Sequence, residues 1–460
     1  MSRIRPMYHP TLDAPRSSRR LWLQGLGASL ALGALAPRVW AQATPLSTGG
    51  ARQGRLVVVF LRGAYDGLSA FVPYADADYY RMRPNIAIAA PDGSAQTAIK
   101  LDNTFALHPS MAALLPLWQQ GVLGFVPAAG LGAPNRSHFD AQHQMEIAAA
   151  DKTSGASGWL NRLAAARSPS TPVAMGVGEA NPAILAGNAA VRLIPRGQSA
   201  ERTGVLANPV TRQALLDLYS GDDRLGVAFR KGVDSRTQSA TELSGEKAAV
   251  QSRRLVERNM VDRNLDKDGT PANAQAQTAQ MLAASNGAAD PVGLQLDAQH
   301  LGTLMRNDRQ LAIGFLSAGG WDTHANQGNA VGQLANNLGN LARAIVQLRQ
   351  DFSEPGDVVV VMSEFGRTSA ENGTKGTDHG FGNAMWLLGN PVNGGKWHGQ
   401  WSGLARGNLN ESRDLPAHHD YRAVLAQLLR RTFALPDSRL AALLPGATWD
   451  ARLDGLMRAA

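Results

Sequence analysis

The chain has 460 residues, of which 44% are hydrophobic, so it is long enough to bury a sizeable core. Its formal charge is +8, but six arginines and one acid in residues 1–41 account for most of this, which excludes a basic footprint for nucleic acid over the rest. Cysteine is absent, which excludes disulfides, thiolate metal ligands and cysteine nucleophiles.

The N-terminus has the pattern of an export signal. Arg19 and Arg20 precede an uncharged run over residues 21–37, and small residues end the segment at Ala41. We expect residues 1–41 to be a twin-arginine signal peptide, with the twin-arginine export machinery as partner and a periplasmic or secreted location. A membrane anchor is the alternative, but the run is shorter than the roughly 20 apolar residues that a span needs. We therefore expect no stable membrane span in the mature chain.

Four continuous apolar runs predict buried parallel strands, because both faces of each run are apolar. They are RLVVVFLRG at 55–63, GVLGFVPAAG at 121–130, RQLAIGFLSAGG at 309–320 and GDVVVVMSEFG at 356–366. Between the last two, apolar residues recur at helical spacing over 331–348, which predicts a helical crossover. The fold class expected is therefore α/β, with a doubly wound, mostly parallel sheet flanked by helices.

Two further segments, 111–120 and 421–433, suit helices packed on this sheet. Residues 235–292 are polar and rich in Ala and Gln, and we interpret them as a helical insertion whose most helical part is 252–269. Residues 392–413 form a long Gly-rich and Trp-bearing loop region. We expect residues 42–460 to make a single domain that includes the insertion.

Polar residues follow each of the four apolar runs, where strand ends converge in open α/β sheets. These residues are Asp66, Ser137, His138, Asp322, His324 and Glu364, and a Gly-rich loop then adds Asp378 and His379. Carboxylates and imidazoles together are ligands for Zn²⁺, Mn²⁺ or Mg²⁺. A serine at a helix N-terminus suits an anionic ester. The pattern therefore predicts a metal-assisted ester hydrolase with Ser137 as nucleophile.

Each residue also has a purely structural explanation. Asp66 precedes Gly67 and suits a turn. Ser137 suits a helix cap, and Asp322 with Thr323 suits another. Glu364 could be a buried ion-pair partner of Arg367. Asp378 and His379 could be surface turn residues, whereas the isolated His108 and His398 are better explained as structural.

The motifs RSHFDAQ, GGWDTHANQ, VVVMSEFGRT, GTDHGFGNAMWLLG and VNGGKWHGQW, in this order after the export signal, resemble the bacterial domain-of-unknown-function 1501 family. The resemblance covers nearly all of the mature chain. It implies a fold similar to the alkaline phosphatase and sulfatase superfamily, and it leaves individual roles unassigned.

The resemblance also implies two metal positions. One would take Asp66, Ser137 and Glu364, and the other Asp322, His324 and His379. Asp378 would then orient His379.

Two departures from the superfamily pattern bear on function. Phe365 stands where a histidine ligand is expected, and Asp322 and His324 are closer in sequence than usual. The centre would then hold one metal, recruit His138 as a substitute ligand, or bind none. The absence of cysteine also removes the usual formylglycine precursor, which argues against an ordinary sulfatase.

Two functions follow as alternatives. The first is a metal-dependent hydrolase of phosphate or related anionic esters, acting on a small molecule or an envelope substrate. The second is a catalytically degenerate periplasmic binding or assembly protein, in which the tryptophans at 397–401 either offer a stacking surface or simply pack over the site.

Overall fold

A computed structural model describes residues 54–149, 157–254 and 272–459 of the chain. Its strands are β1 Leu56–Leu61, β2 Phe71–Val72, β3 Ile99–Lys100, β4 Ala106–Leu107, β5 Leu123–Gly130, β6 Ala174–Gly178, β7 Val191–Pro195, β8 Ile313–Ala318, β9 Val358–Ser363, β10 Asn383–Leu388 and β11 His419–Asp420. All four predicted strands are present, as β1, β5, β8 and β9.

Eight strands form one sheet in the order β11-β5-β10-β9-β1-β8-β6-β7, and β2, β4 and β3 form a small second sheet. Among the described strands of the large sheet, β10 alone runs antiparallel to its neighbours. The predicted mostly parallel α/β sheet is therefore confirmed. The antiparallel strand was not anticipated.

The sheet is buried on both faces, as its continuous apolar strands require. In β1, Leu56, Val58 and Phe60 enter one hydrophobic cluster, whereas Val57 and Val59 enter another on the opposite face. Alternate side chains of a strand point to opposite faces, so a strand between two helical layers must be apolar throughout.

The helices are α1 Gly67–Ala70, α2 Ala77–Met82, α3 Leu115–Gln119, α4 His138–Ile147, α5 Trp159–Arg167, α6 Pro209–Leu218, α7 Arg224–Arg254, α8 Ala272–Ala284, α9 Leu294–Asn307, α10 Gln333–Asp351, α11 Tyr421–Phe433 and α12 Asp437–Leu443. Helices α4, α5 and α11 contribute to the cluster on one face of the sheet, and α9 and α10 to the cluster on the other. The result is a three-layer architecture.

The helix predicted over 331–348 is α10, and its leucines at 334, 338, 341 and 348 are buried. Val331 precedes the helix and is exposed. The segment 421–433 is α11 as predicted, whereas 111–120 divides between a 3₁₀ helix, Pro109–Leu114, and α3. Pro116 at the start of α3 lacks the amide hydrogen that would continue the preceding turn.

Within the segment interpreted as an insertion, helix α7 begins earlier than expected and α8 follows it. Residues 255–271, which include most of the predicted 252–269 helix, lie outside the described residues, and so does the predicted signal peptide at 1–41. No helix in the described part of the chain is long and apolar enough to cross a membrane.

Candidate metal centre

The centre lies at the carboxyl ends of three neighbouring parallel strands. Leu61 of β1 is in register with Ala318 of β8 on one side and with Ser363 of β9 on the other, so these strands end at the same level. Asp322 and His324 follow β8, and Glu364 follows β9 directly. The segments that follow β8 and β9 are therefore brought together at this edge, and His138, after β5, joins them, whereas Asp66, after β1, pairs with Arg83 instead.

Three side chains, His138, Asp322 and His379, bring one ligand atom each within 4.8 Å of the other two, and His324 adds a ring nitrogen beside two of them. The Nε2 atom of His379 lies 2.9 Å from Nε2 of His138 and 2.9 Å from Nε2 of His324. The Oδ1 atom of Asp322 lies 3.2 Å from His379, 3.4 Å from His138 and 3.0 Å from His324 at the same ring nitrogens. Ligands about 2.0–2.1 Å from a tetrahedral zinc lie about 3.3 Å from one another, which matches this spacing.

In each of the three imidazoles, a hydrogen bond at Nδ1 holds the ring in place. The Nδ1 atom of His138 lies 2.7 Å from Glu364, that of His324 lies 3.0 Å from Asp378, and that of His379 lies 2.9 Å from the carbonyl oxygen of Arg136. All three partners are acceptors, so each Nδ1 carries a proton. Metal-ligating histidines characteristically donate this proton to an oxygen while Nε2 faces the ion.

Arg367 holds Asp322 from the buried side. Its guanidinium is fully buried, donates to Oδ1 of Asp322 at 2.6 Å, and also donates to the carbonyl oxygens of Gly63, Ala64 and Thr377. One side chain therefore links the loops that follow β1, β8 and β9. Burial alone would raise the pKa of Asp322, but hydrogen bonds from the three histidines and the charge on Arg367 lower it far below its ordinary value.

The histidines titrate in different directions. Burial lowers the pKa of His138, but its contacts with Asp322 and Glu364 outweigh this and raise it to about 9. Asp322 also raises the pKa of His324, whereas burial lowers that of His379. Without a metal, His138 and His324 thus favour their protonated forms, and the neutral ring of His379 can accept a hydrogen at Nε2.

Glu364 and His138 have exchanged the roles predicted for them. Glu364, expected as a ligand, is fully buried behind His138 and accepts from its Nδ1, so it orients that ring. His138, expected as a substitute ligand, belongs to the candidate group with Asp322 and His379. The ion pair suggested between Glu364 and Arg367 does not form, because Arg367 pairs with Asp322 instead.

Asp378 acts on a different histidine from the one expected. Its Oδ1 lies against His324, and the Nδ2 of Asn372 donates to the same oxygen at 2.9 Å. His379 is held by the Arg136 carbonyl, a main-chain group that sequence reasoning did not consider. Asp378 thus orients one ligand ring, as proposed, but the ring is that of His324.

Asp66 is not brought to the centre. Its carboxylate makes two bonds to the buried guanidinium of Arg83, at 2.6 and 3.1 Å, and also accepts from Ser69 and Gln327. Arg83 itself is fully buried. The carboxylate is therefore neutralised by a guanidinium where the resemblance implied a metal ion.

Ser137 immediately precedes His138 at the N-terminus of α4. Its side chain is exposed and makes no capping bond, and its own amide donates to Asn135 at 3.0 Å. The capping-box explanation for this serine is therefore wrong. The Ser137 hydroxyl therefore makes no hydrogen bond to the end of helix α4.

Phe365 packs against the ligands. Its ring centre lies 4.8 Å from that of His138 and 5.1 Å from that of His379, and the side chain is buried. Together with the Arg83 pairing of Asp66, this leaves one candidate metal position among the described residues where the resemblance implied two. His138, Asp322 and His379 form a candidate group whose ligand atoms all lie within 4.8 Å of one another.

The tryptophans of the 397–401 loop are packed. Trp397 and Trp401 meet the ring of Phe105 edge-on, with centres 5.8 and 5.0 Å apart. This arrangement corresponds to the packing explanation of these residues. Isolated His108 and His398 are both buried, with ring nitrogens bonded to the main chain.

Comparison with known proteins gives a family and a fold neighbour. The alkaline phosphatase from the Antarctic bacterium TAB5 is similar, with a TM-score of 0.31 and 11% identity, over 75% of this chain and 94% of that chain. No curated protein matches the chain. The family described as "Protein of unknown function (DUF1501)" matches residues 53–444. The chain is therefore a member of the domain-of-unknown-function 1501 family, as its motifs indicated.

Proposed function

We propose that this protein is an exported hydrolase of a phosphate or related anionic ester that uses one divalent metal ion. The observation that carries the proposal is the group of His138, Asp322 and His379, whose ligand atoms lie within 4.8 Å of one another. His324 lies beside Asp322 and His379, and the Nδ1 atoms of all three histidines donate to oxygen acceptors. Three imidazoles and one carboxylate suit Zn²⁺ well and Mn²⁺ less well, whereas Mg²⁺ prefers oxygen ligands.

A divalent ion at this point supplies Lewis-acid polarisation of an ester oxygen and lowers the pKa of a nearby hydroxyl or water. The protein's own groups hold and orient the ligands, and hydrogen bonds from the three histidines together with the charge on Arg367 keep Asp322 ionised. Side chains of His324 and His379 remain 28% and 25% exposed, which leaves an approach from solvent. Ser137 adjoins a ligand in the chain, lies at a helix N-terminus that favours anions, and is the proposed nucleophile.

The test combines metal content with turnover of a model aryl phosphate ester. Purified protein should contain one equivalent of zinc or manganese, and turnover should disappear in His379→Ala and in Ser137→Ala. Ser137→Ala should keep its metal, and Ser353→Ala, another exposed serine, should keep both properties. Turnover that persists in Ser137→Ala would reject the serine nucleophile. Protein that binds no divalent ion would reject the proposal altogether.

One observation favours a non-catalytic alternative. His324 brings a further ring nitrogen to 3.0 Å from Asp322, and four protein ligands would close a tetrahedral zinc site, whereas catalytic sites characteristically keep one position open. The metal would then stabilise an exported binding or assembly protein. In the Co²⁺-substituted protein, added phosphate should change the visible spectrum if the ion accepts an outside ligand. An unchanged spectrum together with absent turnover would favour the structural role.

We further propose export by the twin-arginine pathway, supported by Arg19 and Arg20 before the uncharged run at 21–37. Replacement of both arginines by lysine should leave the full-length precursor in the cytoplasm. Export of this variant at the normal level would contradict the proposed route.

A further inference from the structure

One face of helix α4 leads from the metal centre into the buried interior. His138, Gln142 and Glu146 recur every four residues and so lie on the same side of the helix. His138 contacts Glu364, Gln142 contacts both Glu364 and Arg62, and Glu146 contacts Arg62. The contacts form one continuous buried polar chain behind the ligand.

Hydrogen bonds from neighbouring groups hold the carboxylate of Glu364 in place. Its Oε1 accepts from Nδ1 of His138 at 2.7 Å, from the amide of Gly63 at 2.7 Å and from Nε2 of Gln142 at 2.9 Å. Its Oε2 lies 2.9 Å from the hydroxyl of Ser363, whose single hydrogen also has the carbonyl of Leu61 within reach at 2.6 Å. Oε1 therefore accepts three hydrogens, which fixes the direction from which it receives the His138 proton.

The amide of Gln142 has only one orientation that satisfies its neighbours. A guanidinium can only donate, so the Nη1 of Arg62, 3.0 Å away, must face the Oε1 of Gln142. The NH₂ group then faces Glu364 and also donates to the carbonyl of Ala284 at 2.7 Å. Gln142 is fully buried, so a reversed amide would place two acceptors against each other with no water to compensate.

Arg62 is fixed in its turn. It is buried, and it donates to Glu146 at 2.7 Å and to both carboxylate oxygens of Glu179 at 2.6 and 2.9 Å. These bonds keep its Nη1 directed at Gln142. Within this series of buried polar contacts, only His138 faces the converging nitrogens. The influence of Gln142 and Arg62 on the centre therefore runs through Glu364.

We infer that Gln142 is a positioning residue for the metal centre: oriented by Arg62, it holds Glu364 so that Glu364 fixes the ring of His138. This inference rests on the proposed function, since it deepens the account of the same centre. Groups that orient a metal-ligating histidine typically change metal affinity 10- to 100-fold when removed. Gln142 is one contact further away, so we expect a loss of about 3- to 10-fold in Zn²⁺ affinity.

The experiment is a double-mutant cycle on Zn²⁺ affinity, measured by chelator competition with the full folded protein. Gln142→Met should weaken Zn²⁺ binding by that factor in the wild-type background. In the Glu364→Gln background the same substitution should have no further effect, because its route to His138 is already removed. Gln144→Met, on the same helix but outside the Glu364 contacts, is the matched control and should bind Zn²⁺ as wild type does.

A merely structural role would give a different result. Gln142→Met would then lower the melting temperature and weaken Zn²⁺ equally in both backgrounds, which would overturn the inference. Unchanged Zn²⁺ affinity in Gln142→Met would overturn it as well, while leaving the metal centre intact. Wild-type protein that binds no Zn²⁺ would overturn both this inference and the proposed function.

Discussion

The Nε2 atoms of His138 and His379 lie 2.9 Å apart, so two nitrogens face each other and a positive charge must lie between or beside them. Both Nδ1 atoms already donate to oxygen. In the metal-free protein this charge is a proton on His138, whose pKa is about 9 because Asp322 and Glu364 outweigh the effect of burial. A metal ion must displace that proton, and the competition has measurable consequences.

Zinc binding should release protons at neutral pH. His138 is protonated below about pH 9 in the metal-free protein, whereas the ion requires a neutral ring. We expect release of at least one proton per zinc at pH 7, and an affinity that rises at least about tenfold per pH unit between pH 7 and 9. Calorimetry in two buffers of different ionisation enthalpy measures the release. An affinity independent of pH across this interval would contradict the proposed competition.

Zinc should also stabilise the fold, because the ion binds the native arrangement of strand-end loops and not the unfolded chain. At a zinc concentration 100 times the Kd, the free energy of unfolding should rise by about 2.7 kcal/mol. Thermal unfolding with zinc and with a chelator measures this difference. His379→Ala should abolish the shift, and His143→Ala, a histidine of helix α4 outside the converging group, should retain it. An equal shift in both variants would place the zinc elsewhere.

Substitutions at Asp66 and Asp322 should affect different properties: the free energy of unfolding at Asp66 and the zinc affinity at Asp322. Asp66→Asn removes the charge that neutralises buried Arg83, and loss of one partner of a buried pair costs about 3–5 kcal/mol of unfolding free energy. Its zinc affinity should nevertheless equal that of wild type. Asp322→Asn should reduce zinc affinity instead, because its carboxylate is one of the converging groups. Denaturant unfolding and chelator competition measure the two quantities, and weakened zinc binding in Asp66→Asn would restore Asp66 as a ligand.

Much of the fold could be predicted because it depends on apolar patterning. The runs that became β1, β5, β8 and β9 are apolar on both faces, and only a strand buried between two layers accommodates this. Strand β10 has the same composition, so nothing in its sequence reveals that it runs antiparallel. Direction depends on how the preceding loop returns to the sheet, and that information is not local.

The centre was predictable as a set of residue types but not as an arrangement. Glu364 and His138 are both suitable ligands, and only their packing decides that the imidazole lies between the carboxylate and the converging point. Asp66 looked like a ligand because its partner, Arg83, is 17 residues away and has no distinguishing neighbours. The Arg136 carbonyl has no side-chain signature at all. The four-residue spacing of His138, Gln142 and Glu146 was the one signal present in the sequence that could have identified the supporting groups.

His108 should make the stability of the fold depend on pH in a way unrelated to the metal. Burial lowers its pKa to about 4, although the bond from its Nε2 to the carbonyl of Asn329, at 3.0 Å, acts in the opposite direction. Its Nδ1 accepts the amide hydrogen of Ser110 at 3.1 Å. A second proton on Nδ1 would face that amide hydrogen. Because the folded pKa lies below the unfolded value near 6.5, the stability is fully present above pH 6.5 and is lost as the pH falls toward 4.

The size of this loss follows from the two pKa values. At pH 5 the unfolded chain binds the proton and the folded protein does not, so the free energy of unfolding should be about 2 kcal/mol lower than at pH 7 through this residue alone. His108→Asn retains a side-chain acceptor for Ser110 but cannot titrate, so it should be less stable at pH 7 and lose about 2 kcal/mol less on going to pH 5. Urea unfolding at the two pH values, with chelator present throughout, measures both proteins. Equal losses in wild type and His108→Asn would show that this buried ring does not control the acid sensitivity of the fold.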